Sequence, residues 1–162
     1  MTFPLFIVAG TSGSGKTTVS YEVQKVLGVG FNVYDMDTIV VKQDFQTACN
    51  NWIRIAYHNA LGGNTTILFG AVPYPYNVFV CDHFHHFDQL HYLLLHCNQD
   101  TRNQRLTERG GWTPNGIQQT IAYGEKQYAE FKRANFPIIN TTDTPVTQVA
   151  EQIKEWVLKP EG

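Results

Sequence analysis

The sequence predicts an α/β protein in which a parallel sheet lies between two layers of helices. Short, nearly continuous apolar runs alternate along the chain with longer segments whose apolar residues recur every three or four positions. The first pattern is typical of parallel strands buried on both faces, and the second of helices that cover such a sheet. The length of 162 residues is sufficient for one core without disulfides or metals. We therefore expect a single domain over residues 1–162.

The expected elements follow in order along the chain. The apolar runs predict strands at residues 6–9, 31–34, 65–69, 92–97 and 137–140. The periodic segments predict helices at 16–27, at 38–60, from 99 to the Gly-Gly break at 110–111, and from 114 and 145 onward. Gly28 and Gly62-Gly63 are stop signals, whereas Thr113-Pro114 and Thr144-Pro145 each read as a cap followed by a first-turn proline.

Composition excludes several classes of protein. With 43% hydrophobic residues and a net charge of −2, the chain is neither disordered nor basic enough for nonspecific binding to nucleic acid or anionic membranes. Its three cysteines form no C-x-x-C pair, which disfavours a disulfide framework or a four-cysteine zinc site. No apolar run approaches the roughly 18 residues of a membrane span, and the first one leads into a motif rather than a cleavage site. We expect a cytoplasmic protein.

Residues 10–17, GTSGSGKT, match the phosphate-binding pattern G-x-x-x-x-G-K-[ST] between the first strand and the first helix. Glycines let backbone N–H groups wrap a polyphosphate, and the helix N-terminus adds a positive dipole. We expect Lys16 to contact the β- and γ-phosphates and the Thr17 hydroxyl to bind Mg²⁺. The predicted nucleotide-binding residues are Gly10, Thr11, Ser12, Gly13, Ser14, Gly15, Lys16, Thr17 and Thr18.

Other nucleotide-binding classes fit poorly. No aspartate is followed by glycine three positions later, as the D-x-x-G motif of a GTPase requires. The segment 140–143, NTTD, lacks the lysine of N-K-x-D. A hexameric motor would need a longer chain with a lid domain and an arginine finger.

The chain resembles the small P-loop kinases of the shikimate and gluconate kinase type over nearly its whole length. More narrowly, it is similar to uncharacterised bacterial proteins described as AAA-domain or nucleoside-kinase-like. Beside the phosphate loop, the shared features are Tyr34-Asp-Met-Asp37, Leu68-Phe-Gly70 and the run 91–97 ahead of Arg102, Arg105 and Arg109. The resemblance implies a five-stranded parallel sheet in the order 2-3-1-4-5, with helices on both faces and a short lid at about residues 102–116. It also implies transfer of the γ-phosphoryl group of Mg-ATP to a hydroxyl of a small metabolite.

The pair Asp35 and Asp37 can serve two tasks at the carboxyl edge of the sheet. One carboxylate beside the phosphate loop can hold the water shell of Mg²⁺, and the other can orient or deprotonate a substrate hydroxyl. The resemblance places Asp35 with the metal, through water, and Asp37 with the substrate as a catalytic group. The alternative for Asp37 is that it caps the following helix.

Arg102, Arg105 and Arg109 share one helical face. The resemblance places them at the entrance of the lid, where Arg105 contacts the nucleotide and Arg105 and Arg109 act on the developing charge together with Lys16. A solvated face is the alternative, chiefly for Arg102. The resemblance also places residues 140–144 at the adenine base, although a plain capping turn fits that segment equally well.

Alternative functions remain at this stage. The first is an ATPase or nucleotide-binding module without a small-molecule acceptor, and the second is a nucleic-acid end kinase, which the low content of basic residues disfavours. Substrate specificity is expected to lie in residues 38–91. This range includes the His-rich stretch His83–His86, whose spacing matches no standard zinc pattern. We expect a small-molecule substrate, no nucleic-acid or membrane partner, and a monomer or homodimer.

Overall fold

Five parallel strands form one sheet in a computed structural model that describes residues 1–159. The sheet order is β2-β3-β1-β4-β5. The strands are β1 (Phe3–Ala9), β2 (Phe31–Asp35), β3 (Thr65–Phe69), β4 (Phe87–His96) and β5 (Ile138–Asn140). The helices are α1 (Lys16–Leu27), α2 (Phe45–Leu61), α3 (Gln99–Arg109), α4 (Pro114–Arg133) and α5 (Val146–Leu158). The predicted fold class and strand order are confirmed.

The two faces of the sheet bury separate apolar layers. Leu5 and Ile7 of β1 pack in a cluster with α2, whereas Phe6 and Val8 pack in a second cluster with α1 and α5. This alternation follows from the two-residue period of a strand, which sends neighbouring side chains to opposite faces. Burial on both faces explains why the strands read as continuous apolar runs.

The helix expected at residues 38–60 begins only at Phe45. Residues Met36–Ile39 form a short 3₁₀ turn, and positive φ values at Lys42 and Gln43, 51° and 60°, interrupt the chain before α2. The side chain of Asp44 then caps α2 by accepting from the Thr47 backbone N–H at 3.1 Å. Apolar spacing alone extended the predicted helix across this turn.

Other details also differ from the sequence interpretation, and β1 begins at Phe3 rather than at residue 6. Strand β4 begins at Phe87 rather than at 92, because its polar first half pairs with β1 from Phe3 onward. The Thr144 hydroxyl donates to the Asn140 carbonyl, so Thr144 does not cap α5 as predicted. Thr113 does cap α4, by accepting from the Gly116 backbone N–H.

No helix among residues 1–159 is long and apolar enough to cross a membrane.

Candidate functional site

The phosphate loop lies between β1 and α1 at the carboxyl edge of the sheet. Gly13 and Gly15 have φ values of 86° and 100°, in the left-handed region that favours glycine. Gly10 has no room for a side chain, since a Cβ there would lie 2.6 Å from Ser14 Oγ. The backbone therefore requires glycine at the three loop positions where the sequence has it.

Arg102 of α3 is hydrogen-bonded to the first half of the loop. Its Nη1 donates to the Thr11 and Ser12 carbonyl oxygens at 3.3 and 2.7 Å and also to the Thr11 hydroxyl. The residue is only 2% exposed, so the alternative of a solvated face is wrong for Arg102. Gly124 of α4 makes this packing possible, because a Cβ there would lie 2.9 Å from the Arg102 guanidinium carbon.

Arg105 joins the second half of the loop to the turn after β5. Its Nη1 donates to the Gly13 carbonyl at 3.0 Å, and its Nη2 donates to the Thr141 carbonyl at 2.7 Å. The Thr141 hydroxyl in turn donates to the Ser14 carbonyl at 2.8 Å. The turn that was expected near the base is thus hydrogen-bonded directly to the loop.

A cavity of about 430 Å³, here called the cationic cavity, opens beside the second half of the loop. Its lining residues are Gly13, Gly15, Thr18, Val19, Arg105, Glu108, Arg109, Thr141, Thr144, Val146 and Val149. The charged groups in this lining are the two guanidinium groups of Arg105 and Arg109 and the carboxylate of Glu108, and valine side chains supply an apolar wall. Such a lining suits an anion that carries a flat ring. Two of the predicted site residues, Arg105 and Arg109, line this cavity together with the loop and the turn after β5.

The Thr17 hydroxyl meets the first carboxylate of the D-x-D pair at the end of β2. The Thr17 hydroxyl donates to Asp35 Oδ2 at 2.9 Å, and Asp35 Oδ1 accepts from the Asp37 backbone N–H at 3.0 Å. Burial lowers the pKa of Lys16 to about 8, and the carboxylates of Asp37 and Asp35 oppose this shift. Hydroxyl and carboxylate oxygens are the ligands that Mg²⁺ prefers, so the site fits that ion.

Tyr76 is the site residue that the sequence interpretation missed. Its hydroxyl donates to Asp37 Oδ1, and its ring is 1% exposed and packs edge-on against Phe45. Burial raises the pKa of Tyr76, and the Asp37 carboxylate raises it further. The capping alternative for Asp37 is wrong, because Asp44 caps α2. A buried hydroxyl instead holds the Asp37 carboxylate in place.

A second cavity, of about 260 Å³ and here called the neutral cavity, lies on the other side of the loop. It is bounded by the first half of the loop, by the chain after β3 and by α4. The lining residues are Thr11, Ser12, Ala71, Tyr74, Pro75, Gln119, Thr120 and Tyr123. The Tyr123 hydroxyl donates to the Tyr74 carbonyl at 3.2 Å and so joins α4 to the chain after β3. Pro75 directly precedes Tyr76, which connects this wall to Asp37.

The His-rich stretch lies outside both cavities. His83 and His86 stack on Tyr57 of α2, with ring centroids 5.4 and 3.8 Å apart. Over residues 1–159, no three His, Cys, Asp or Glu side chains are grouped in a way that could hold a metal ion. These histidines cover α2, and none of them lines either cavity.

Comparisons with known proteins identify the fold. The chain matches no family model and no curated protein sequence. It is similar to an unliganded sugar kinase from a Janibacter species, at 19% identity and TM-score 0.61 over 97% of this chain and 95% of that one. It is similar to a shikimate kinase from Acinetobacter baumannii in complex with shikimate, at 13% identity and TM-score 0.59 over 99% and 96%. A gluconokinase from Sinorhizobium meliloti matches at 14% identity and TM-score 0.54 over 100% of both chains.

These three solved structures are kinases, and this chain shares their fold. The predicted resemblance to the shikimate and gluconate kinases is therefore confirmed as a likeness of architecture. Because a fold hosts many activities, the function has to be argued from the site.

Proposed function

We propose that the protein is a kinase that transfers the γ-phosphoryl group of Mg-ATP to a hydroxyl of a small metabolite. The observation that carries this proposal is the pair of cavities on opposite sides of one phosphate loop. Phosphoryl transfer requires two ligands to meet in line at the transferred group, and such catalysis rests mainly on positioning and charge. Lys16 and Asp37 stand close enough for their charges to interact, where the two ligands would meet.

The cationic cavity is the proposed nucleotide half. The base would lie against Val146 and Val149 beside the turn after β5, and the phosphates would occupy the loop at the N-terminus of α1. Arg105 is already fixed to the Gly13 carbonyl and supplies a stationary positive charge. Arg109, exposed at the end of α3, is free to turn toward the transferred group. Thr17, with Asp35 through water, would hold Mg²⁺, which neutralises phosphate charge when bound.

Asp37 is the proposed catalytic group on the acceptor side. Tyr76 holds Oδ1 and leaves Oδ2 to accept the proton of the acceptor hydroxyl. As the acceptor oxygen forms its bond to the γ-phosphorus, the bond to the β–γ bridging oxygen breaks and ADP leaves. A positioned base of this kind contributes about 10²- to 10⁴-fold to the rate.

A phosphotransfer panel tests the proposal. The purified protein is given Mg-ATP with nucleosides, neutral sugars, sugar acids, shikimate or aminoglycosides, and without an acceptor. ADP and phosphorylated product are then measured. At least one acceptor is expected to yield a phosphorylated product and to accelerate ADP release. ATP turnover that no acceptor accelerates would contradict the proposal and favour the ATPase alternative.

A further inference from the structure

The neutral cavity contains no ionisable acid or base other than tyrosine. Its polar groups are the hydroxyls of Thr11, Ser12 and Thr120 and the amide of Gln119. The cationic cavity, by contrast, is lined by Arg105 and Arg109. The phosphate loop therefore separates a side built for anions from a side that offers only neutral hydrogen-bonding groups.

The cations nearest the neutral cavity are already engaged. Arg102 lies beneath Thr11 and Ser12, but its Nη1 is bonded to their oxygens and the residue is 2% exposed. Lys16 interacts with the carboxylates of Asp37 and Asp35 and belongs to the proposed phosphate site. An anionic ligand in the neutral cavity would lose hydration without forming an ion pair with any lining side chain, which is unfavourable.

The walls of the neutral cavity favour a ring. Tyr74 stands at the rim with 71% of its surface exposed, and Pro75 and the Tyr123 ring add flat apolar surface. The Tyr123 hydroxyl is occupied by the Tyr74 carbonyl, which leaves the ring itself to meet a ligand. Aromatic faces with a few neutral donors and acceptors are typical of sites for uncharged ring compounds that carry hydroxyls.

We propose that the neutral cavity binds the phosphoryl acceptor and that the acceptor is an uncharged, ring-containing hydroxyl compound. A nucleoside and a neutral sugar both have this chemistry, whereas a sugar acid, shikimate or a phosphorylated metabolite does not. This inference rests on the proposed kinase function, because it assigns that reaction's acceptor to the cavity.

The test is binding, measured separately from turnover. Calorimetry with Mg²⁺ and a non-hydrolysable ATP analogue compares matched probes: glucose with gluconate, and uridine with uridine 5′-monophosphate. The neutral member of at least one pair is expected to bind at least about tenfold more tightly than its anionic partner, since one unpaired buried charge costs more than this factor. The pair that responds distinguishes a sugar from a nucleoside.

A charge-insertion variant assigns the binding to this cavity. Gln119→Arg places a cation in the lining and is expected to raise affinity for the anionic member by about tenfold. Gln118→Arg is the matched control, because Gln118 is exposed on the same helix and does not line the neutral cavity. A Gln118→Arg response equal to that of Gln119→Arg would overturn the assignment to the cavity.

The outcomes separate this inference from the proposed function. Phosphorylation of gluconate, shikimate or a nucleotide by the wild-type protein would overturn the inference and leave the kinase function intact. Binding of a neutral probe that is never phosphorylated would support a site for uncharged ligands in this cavity, but it would contradict both the acceptor assignment and the kinase function. If no neutral probe bound in either pair, the inference would be wrong.

Discussion

The two halves of the phosphate loop face opposite chemical environments. The second half, with Gly13 and Gly15, borders two arginines, whereas the first half, with Thr11 and Ser12, borders hydroxyls, an amide and aromatic rings. One loop thus separates a cavity lined by charged side chains from a cavity lined by uncharged ones. Under the proposed function, each cavity binds one of the two ligands, and Lys16, Asp37 and Tyr76 are the residues assigned to the reaction between them.

The largest expected effect comes from a change at Asp37. Asp37→Asn removes the proposed base and is expected to lower the rate of phosphoryl transfer by about 10² to 10⁴. Mg-ATP affinity is expected to stay within about a factor of three, because Asp37 faces the acceptor. Steady-state kinetics with calorimetry of Mg-ATP binding measures both quantities. Asp82→Asn, on the exposed surface beside the His-rich stretch, is the matched control. A full-speed Asp37→Asn protein would remove the catalytic role.

Lys16→Ala is expected to weaken nucleotide binding without affecting the neutral cavity. Loss of one charge-assisted contact to the phosphates is expected to weaken Mg-ATP binding by about 10- to 100-fold. Binding of the neutral probe without nucleotide is expected to change little, since Lys16 does not line the neutral cavity. Calorimetry measures both affinities, and Lys25→Ala, on the exposed face of α1, is the control. Equal losses for the two ligands would show that the halves are not separate.

Tyr76→Phe affects the acceptor half with a smaller change. The ring and its packing on Phe45 remain, but the hydrogen bond to the Asp37 carboxylate is lost. Because the Asp37 carboxylate can then leave the orientation that proton transfer requires, kcat is expected to fall by at least about tenfold. The KM for ATP is expected to stay unchanged, and Tyr21→Phe on the surface of α1 is the control. A change in KM alone would place Tyr76 on the nucleotide side.

The smallest expected effect is the uptake of a proton when the nucleotide binds. Burial holds the pKa of Lys16 at about 8, below its ordinary 10.5, and phosphate charge favours the protonated form. Nucleotide binding therefore raises this pKa, so the complex takes up a proton at about pH 8.5, and affinity falls as pH rises above about 8. At about pH 6.5 the lysine is protonated in both states, and its contribution to the uptake is absent.

Calorimetry in two buffers of different ionisation enthalpy measures the uptake. Lys16→Ala is expected to abolish it at about pH 8.5. Uptake that persisted in Lys16→Ala would show that another group carries the proton.

Sequence patterns predicted which residues meet around the cationic cavity and Asp35 better than which residues meet around the neutral cavity and Asp37. The loop, Thr17, Asp35 and the α3 arginines are close in sequence or belong to a recognisable motif, and parallel strands bring them to one edge. Tyr76 is bonded to a partner 39 positions away, and α4 contributes to the neutral cavity from still farther along the chain. No local pattern encodes such contacts, because tertiary packing creates them.

Arg102 illustrates a different limit. Its place on a polar helical face predicted solvent or phosphate, but loop carbonyls satisfy its guanidinium within the protein. Sequence reveals the charge of a side chain and not which backbone oxygens will surround it. Asp44 is a comparable case, since its cap of α2 depends on the left-handed backbone at the two preceding residues.

The anchoring of α3 determines where motion can occur. Six hydrogen bonds run from the guanidinium groups of Arg102 and Arg105 to the phosphate loop and Thr141. Moving α3 away from the loop would break all six, so these bonds hold the helix and the loop together. Any movement of the chain that follows would therefore have to begin at or after Gly110-Gly111, where both φ values are 79°. Arg109 is the last residue of the anchored helix, so its backbone is held in place while its exposed side chain can still change rotamer.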